Sequence, residues 1–148
     1  MKKLLVFVVF SLIFIACEKN DKPEKVLSDY VNDRISGSLV KKDEILSKLT
    51  GRYWAEVNAL SDEEFSKFEN LGPVKKDSFK IVSNKCLDNA CYITYSIKYS
   101  TLDQNTKVFQ SEVKKVAEMR LEDGVWKISD ISTVKTFHES LEPIKPLE

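Results

Sequence analysis

The chain divides into two halves that differ in the spacing of their hydrophobic residues. Across residues 21–72, apolar residues recur every three or four positions, which is the period of helices that bury one face. From Cys91 onward they alternate with polar residues, as in strands of a sheet with one covered face. The pattern predicts an α+β domain with N-terminal helices packed on a four-stranded antiparallel sheet.

Three helices are expected before residues 71–73, Leu-Gly-Pro, end the helical half. Asp21 caps the first helix, Pro23 and Glu24 lie in its first turn, and Gly37 ends it. The buried face of this helix consists of apolar residues at helical spacing, namely Val26, Leu27, Tyr30, Val31 and Ile35.

Two more helices are expected after the first. The second begins near Lys41, and Thr50 with Gly51 either kinks or splits it. The third begins at a capping box formed by Ser61 and Glu64. The apolar residues that place these helices on the core are Ile45, Leu46, Leu49, Tyr53, Val57, Phe65 and Phe68.

The second half contains long strands and a hairpin. Residues 91–99 form a strand with Ile93, Tyr95 and Ile97 on one face. Asp123 and Gly124 both tolerate positive φ, so they form a turn between a strand at residues 107–121 and a last strand at residues 125–134. The longer strand also has a charged side, interpreted as a mixed-charge outer surface, with Glu112, Glu118 and Glu122 beside Lys114 and Arg120.

Cys86 and Cys91 are expected to form a disulfide bond. If Asp88 and Asn89 form a two-residue turn, the cysteines face each other across the hairpin at about 4.5 Å between their Cα atoms. That separation suits a disulfide, and closing so small a loop would stabilise the fold by about 2 kcal/mol. Two free thiols are the alternative. A metal site is less favoured, because no further ligands lie nearby in the sequence.

The register of this hairpin creates a conflict in the strand before Cys86. It places Phe79 and Ile81 on the face opposite Ile93 and Tyr95, so the apolar residues of neighbouring strands would not share one face. We expect either a β-bulge in this strand or two partly covered faces.

A short apolar segment precedes the domain. Lys2 and Lys3 are followed by the 13 uncharged residues 4–16, which as a helix would reach about 20 Å. This length is less than the roughly 30 Å hydrocarbon core of a bilayer, and charged residues follow at once. The segment therefore indicates a secretory signal rather than a permanent membrane span.

The end of this segment, Phe14, Ile15, Ala16 and Cys17, resembles the lipobox of bacterial lipoproteins. The resemblance implies cleavage between Ala16 and Cys17 and attachment of acyl chains such as palmitate to Cys17. Two or three acyl chains hold a protein stably on a bilayer, whereas one binds only marginally. The lipid bilayer is then a partner, and the expected location is the outer membrane of the bacterial envelope, facing the periplasm. An uncleaved anchor with a buried Cys17 is the alternative.

Composition limits the function further. The chain has 23 basic and 23 acidic residues, and removal of residues 1–16 takes Lys2 and Lys3, leaving 21 against 23, a formal charge of −2. Because the charges balance, the chain has no basic tract of the kind that binds nucleic acid. Its hydrophobic residues, 43% of the total, are enough to form a buried core, so a disordered chain is not expected. The chain is divided into a signal peptide (1–16), a polar tether (17–22), one domain (23–137) and a tail (138–148).

Helices followed by this sheet resemble the nuclear-transport-factor-2-like, or ketosteroid-isomerase-like, cone, in which helices close over a strongly bent sheet. The resemblance rests on the order of the elements and on the final hairpin at residues 116–131. A cystatin-like domain, with one long helix across a similar sheet, is the runner-up, and the helices around Ile45 and Phe65 favour the cone. Members of the cone family use an apolar pocket for ligands, for catalysis or not at all, and many dimerise.

The cone resemblance makes several aromatic residues candidates for a pocket: Tyr30, Tyr53, Trp54, Phe65, Tyr95 and Trp126. Of these, Tyr53, Trp54, Tyr95 and Trp126 are predicted to bind a ligand. Asp130 is added because it is expected on the same face of its strand as Trp126 and Ile128. Ordinary core packing is the alternative for each aromatic residue, and an end-of-strand position is the alternative for Asp130. His138, the only histidine, is interpreted as a solvated tail residue beyond the last strand.

No residue is assigned a catalytic role, and no cofactor or metal is predicted. The chain has no phosphate-binding glycine loop, zinc-spaced His/Cys set or nucleophile elbow. The sequence therefore favours a non-enzymatic, membrane-anchored domain that binds an apolar small molecule, a protein or a second copy of itself. The alternative is an isomerase, dehydratase or hydrolase of the ketosteroid-isomerase-like type, with Asp130 in an open cavity within hydrogen-bond reach of Tyr95 or Tyr53.

Overall fold

The computed structural model describes residues 21–35, 40–69, 74–104 and 106–141. The leader, its cleavage position at Ala16 and Cys17, the helix stops at Gly37 and at residues 71–73, and the end of the tail lie outside these ranges. Among the helices within them, none is both long enough and apolar enough to cross a bilayer.

In the described part of the chain, four helical segments precede the sheet: α1 (Pro23–Ile35), α2 (Lys42–Leu46), α3 (Gly51–Ala59) and α4 (Asp62–Glu69). The predicted break at Thr50 and Gly51 is confirmed, since it separates α2 from α3. Gly51 has a φ of +57°, a left-handed conformation that favours glycine. The capping box is confirmed as well, because the backbone N–H of Ser61 donates to Glu64 Oε2 at 2.8 Å and that of Glu64 donates to Ser61 Oγ at 3.3 Å.

The second half of the chain forms a four-stranded antiparallel sheet in which each strand pairs with the next: β1 (Val74–Leu87), β2 (Ala90–Asp103), β3 (Thr106–Glu122) and β4 (Val125–Ser140). The predicted α+β class, with helices ahead of this sheet, is confirmed. Asp123 and Gly124 form the predicted hairpin turn with φ values of 50° and 79°. Trp126 consequently lies opposite Leu121.

A bulge in β1 resolves the conflict between its apolar residues and those of β2. The register shifts between Ile81 and Ser83, which inserts one extra residue into β1. Phe79 then lies opposite Ile97, and Ile81 lies opposite Tyr95, so these apolar side chains share the inner face of the sheet. The predicted bulge is therefore confirmed.

β4 extends to Ser140, beyond the predicted end of the strand at residue 134. His138 lies within this extension and pairs with Ser111 of β3, so its interpretation as a tail residue beyond the last strand was wrong. Residues 132–140 are exposed and mostly polar, and their sequence gives no period-two apolar signal. The strand continues because β3 supplies backbone hydrogen-bonding partners along this whole length.

The segment between α2 and α3 attaches to the sheet at the edge of β4. Leu49 forms a parallel bridge with Ile128, in which the N–H of Thr50 donates to the Ile128 carbonyl and the N–H of Ile128 donates to the Lys48 carbonyl, each at 2.9 Å. These bonds satisfy backbone groups that would otherwise be exposed on an edge strand. They also set the position of α3, which begins two residues after Leu49.

The core lies between the helices and one end of the inner sheet face. Its fully or nearly fully buried residues include Leu27, Val31, Ile45, Leu49, Val57, Cys91, Ile93, Ala117, Met119 and Ile128. β3 has 17 residues and spans roughly 55 Å, whereas the 13 residues of α1 span about 20 Å. The helices therefore cover only part of the inner face. The predicted charged outer face is confirmed by ion pairs such as that between Lys98 and Glu112 at 3.4 Å.

Cys86 and Cys91 face each other across the β1–β2 hairpin in the predicted register. Their Cα atoms are 4.0 Å apart, and their Sγ atoms lie at disulfide-bonding distance. Cys91 is buried beneath the helices, whereas Cys86 is exposed. The pair thus ties the exposed end of β1 to a strand that belongs to the core.

Reduction of the Cys86–Cys91 bond should lower the free energy of unfolding by about 2 kcal/mol, because the reduced unfolded chain regains the conformational entropy that the closed loop removes. Urea unfolding with and without dithiothreitol measures the difference. Cys86→Ala is the control. It has no bond to reduce, so its urea unfolding midpoint should be the same in both buffers. Equal midpoints for the unsubstituted chain in both buffers would contradict the bond.

Candidate functional site

A cavity of about 420 Å³ lies between α1 and the inner face of the sheet. This volume falls within the range of small-molecule sites in proteins. The floor of the cavity continues the buried core toward the uncovered end of the sheet. Three successive cross-strand rows from β2, β3 and β4 form it: Tyr95, Lys115 and Thr133; then Ile97, Val113 and Thr136; then Tyr99 and His138.

The C-terminal half of α1 forms the opposite wall. Tyr30, Val31, Arg34 and Ile35 all line the cavity, because residues three and four apart lie on one side of a helix. The guanidinium carbon of Arg34 lies 3.6 Å from the centroid of the Phe68 ring, which orients this cation through a cation–π contact. α1 therefore presents both apolar surface and a positive charge to the cavity.

Lys115 brings a second positive charge to the cavity. It is half-buried on the inner face of β3, on the same side as the buried residues Val113 and Ala117. No carboxylate of the described residues pairs with it. Burial lowers the pKa of Lys115, and the nearby charge of Arg34 lowers it further, because both disfavour the ammonium form.

Phenol hydroxyls supply most of the other polar groups. Tyr30 and Tyr53 share a hydrogen bond between their hydroxyl groups, which joins α1 to α3. Burial raises the pKa of Tyr30, with the neighbouring Tyr53 as the next cause, and burial likewise raises the pKa of Tyr95. Both phenols therefore remain neutral donors at ordinary pH. The Tyr95 ring also packs on Phe79, with 5.7 Å between ring centroids.

The polar groups of the cavity are suited to binding rather than to carboxylate-dependent proton transfer. They consist of phenols, hydroxyls, two cations and the imidazole of His138, whose Nδ1 lies 2.8 Å from Ser111 Oγ. None of the described lining residues is an aspartate or a glutamate. Across the described residues, no three His, Cys, Asp or Glu side chains converge as a metal site would require.

The structure separates the aromatic candidates. Tyr53 and Tyr95 line the cavity. Trp54 projects from α3 into a different, more open depression beside α2 and is 41% exposed. Trp126 is partly buried against the core, and Phe65 is a core residue. For these two side chains, the alternative of ordinary core packing is the one observed.

Asp130 lies on the outer face of the sheet and not in the cavity. A register shift between Glu118 and Met119 inserts Ser129 as an extra residue in β4, so Ile128 faces inward and Asp130 lies opposite Glu118. The expectation that Asp130 and Ile128 lie on the same face of their strand was therefore wrong. Its carboxylate Oδ1 accepts a hydrogen bond from Arg52 Nη2 at 2.7 Å, which connects β4 to α3.

Arg34 and Lys115, the two cations of the cavity, were not among the predicted site residues, although the sequence around each carries a signal. Arg34 follows Leu27 by seven residues and Tyr30 by four, so it lies on the apolar side of its helix. Lys115 shares strand parity with Val113 and Ala117. In each case a charged residue interrupts an apolar pattern, which indicates either a paired core charge or a binding site.

Comparison of the sequence with models of protein families and with curated proteins yields no match.

Lys115→Met should make the domain more stable at pH 7. The folded state holds Lys115 at a pKa below its usual 10.5, so at neutral pH the cost of burying the ammonium is fully present. As the pH rises toward 10.5, the folded state loses this proton first, and the stability of the unsubstituted chain rises relative to the variant.

Thermal unfolding monitored by circular dichroism at pH 7 and at pH 10 measures this effect. The melting temperature of Lys115→Met should exceed that of the unsubstituted chain at pH 7, and the gap should narrow at pH 10. Lys114→Met is the matched control, because it removes a lysine from the exposed side of the same strand and should show no such pattern. A gap that widens with pH would contradict the burial cost.

Proposed function

We propose that this chain is a lipid-anchored binding protein of the bacterial envelope, whose domain holds a small, mainly apolar molecule in the cavity beneath α1. The observation that carries the proposal is the cavity itself, about 420 Å³ in volume and lined mostly by apolar and aromatic side chains. Cavities of this kind bind small molecules by burying their apolar surface, and a few polar groups set the orientation.

The anchoring part of the proposal is supported by the leader and the cysteines. Basic residues, a short apolar segment and Cys17 stand in the order of a bacterial lipoprotein signal. The Cys86–Cys91 pair is consistent with an exported protein, because disulfides persist in oxidising compartments. After processing, the short polar tether would keep the domain within about 20 Å of the bilayer.

We further propose that the domain is a cone of the nuclear-transport-factor-2-like type. Helices packed on one face of a four-stranded sheet, with a cavity between them, support this assignment. The bulges in β1 and β4 support it as well, because a bulge bends its strand and increases the local twist. The short helices α2, α3 and α4 favour the cone over the single long helix of a cystatin-like domain.

The enzymatic alternative receives less support from the site. It called for Asp130 inside the cavity, where burial would raise its pKa and a tyrosine would assist. Asp130 instead pairs with Arg52 on the outer side of β4. The polar groups that do line the cavity can orient and retain a ligand, which favours binding.

Cys17→Ser should leave the leader uncleaved and the chain without acyl mass, because the lipoprotein peptidase acts on an acylated cysteine. Fractionation followed by intact-mass measurement tests this, and the unsubstituted chain should show loss of residues 1–16 together with added acyl mass. Cys86→Ser is the control, since it also removes a cysteine and should remain anchored and cleaved. A Cys17→Ser chain that keeps its membrane location and its mature size would overturn the anchoring proposal.

Thr133→Trp should block binding in the cavity, because Thr133 belongs to the floor and a larger side chain there fills the space. The test uses the full chain, isolated from membranes and reconstituted in phosphatidylcholine vesicles, with a photoreactive diazirine analogue of decanol. The probe should attach to inner-face residues of β3 and β4, and Thr133→Trp should lower that labelling at least about tenfold.

Ser132→Trp is the matched control for this experiment. Ser132 is exposed, as Thr133 is, but it lies opposite Val116 on the outer face of the sheet. This variant should label like the unsubstituted chain. Equal labelling of both tryptophan variants, or no labelling of inner-face residues in any form, would contradict binding in the cavity.

A further inference from the structure

The register of the sheet places a lysine amine in the floor of the cavity. Lys115 lies on the inner face of β3, opposite Tyr95 of β2 and Thr133 of β4. The buried residues Val113 and Ala117 stand two positions away on either side of it. All three residues of this cross-strand row line the cavity. The sheet therefore holds a half-buried primary amine in mainly apolar surroundings.

Within the described ranges, no carboxylate lies in the cavity beside this amine. The other titratable side chains that line it come from α1, α3, β2 and β4, and they are Tyr30, Arg34, Tyr53, Tyr95 and His138. Lys107 in the same strand, for comparison, has its Nζ 2.6 Å from Asp77 Oδ1. A buried charge is ordinarily paired, because its desolvation is costly. Lys115 is thus not explained as one half of an ion pair with an acidic side chain of this part of the chain.

An amine in such surroundings differs chemically from an exposed one. Only the neutral form has a free lone pair, so a lysine is a nucleophile only after it loses its proton. Burial lowers the pKa of Lys115, and each unit of such a shift increases the neutral fraction at pH 7 about tenfold. Lys114, its neighbour in the sequence, is exposed on the outer face and provides a comparison within the same strand.

We propose that Lys115 binds apolar aldehydes covalently, as an imine, with the carbon chain of the aldehyde packed against the inner face of β2 and β3. An aldehyde has an apolar body and one electrophilic carbon, so it suits a cavity that offers apolar surface and a neutral amine. Burial raises the pKa of Tyr95, so its hydroxyl keeps its proton and can donate a hydrogen bond to the carbonyl oxygen. The proposal rests on the proposed binding function and names the ligand class of the same cavity.

The reaction needs no reagent beyond the amine, the aldehyde and water. The lone pair of Lys115 Nζ attacks the carbonyl carbon, and the π electrons of the C=O bond form an alkoxide that takes a proton from the new ammonium. The nitrogen lone pair of this carbinolamine then expels the hydroxyl group, which leaves as water with a proton from solvent. The iminium returns a proton to solvent, so one amine and one aldehyde give one imine and one water. The same steps in reverse release the ligand.

Reductive trapping tests the proposal. The full chain, isolated from membranes, is held in phosphatidylcholine vesicles, whose headgroups carry no primary amine, and is treated at pH 7 with decanal and sodium cyanoborohydride. The reagent delivers hydride to the imine carbon, which fixes a decyl group on the nitrogen for peptide mass spectrometry. Lys115 should be modified at least about tenfold faster than Lys114. Decanol, which fills the same cavity without a carbonyl group, should slow only the modification of Lys115.

Three variants assign the reaction to the cavity. Thr133→Trp fills the floor directly opposite Lys115 and should abolish the preference for this lysine, whereas Ser132→Trp, on the outer face, should keep it. Lys115→Arg keeps a positive charge but has no primary amine, so position 115 should stay unmodified. The photoreactive decanol analogue should still label inner-face residues of Lys115→Arg, which shows that this variant is folded.

The outcomes separate this proposal from the proposed function. If Lys115 and Lys114 react at the same rate, Lys115 only lays its alkyl stem along apolar surface with its ammonium in water, and the imine proposal fails. A preference for Lys115 that survives both decanol and Thr133→Trp would place the reaction outside the cavity and would also overturn it. In either case the binding function stands if the decanol analogue labels inner-face residues, and it fails if that analogue labels none.

Discussion

A difference in length between helices and strands determines the shape of this domain. Each strand alternates its side chains between two faces, so the whole inner face of a long strand needs cover. α1 spans about 20 Å, so the helices can cover only part of that face, and its most deeply buried side chains include those of Cys91, Ile93 and Met119. Beyond that part, the helix and the sheet enclose a cavity instead of a packed layer, and the strands then continue past it with exposed side chains.

The cavity is stabilised around its margin rather than filled. The hydrogen bond between Tyr30 and Tyr53 joins two helices, and the bonds of Lys48 and Thr50 to Ile128 fasten the helical half to β4. Arg52 and Asp130 connect α3 to the same strand on its other side. With the walls held in this way, a half-buried lysine persists in the floor of the cavity, although burial disfavours its charged form.

Much of the fold followed from local pattern. The capping box at Ser61, the split at Gly51 and the turn at Asp123 were predictable because each depends on a few neighbouring residues with strong conformational preferences. The Cys86–Cys91 register was predictable for the same reason, since a two-residue turn determines which residues face each other. The bulge in β1 could be anticipated because two apolar patterns in adjacent strands had to share one face.

The site depended on information that no local pattern contains. The bulge at Ser129 reverses the side on which Asp130 lies, and the extension of β4 to His138 depends on partners in β3 that are distant in sequence. Sequence alone determined the period of each element, the turns and the leader motif, because these arise from neighbouring residues. Only the tertiary structure decided which cations share a cavity. Arg34 and Lys115 are separated by 80 residues in the sequence, and they line the same cavity because their helix and strand pack together.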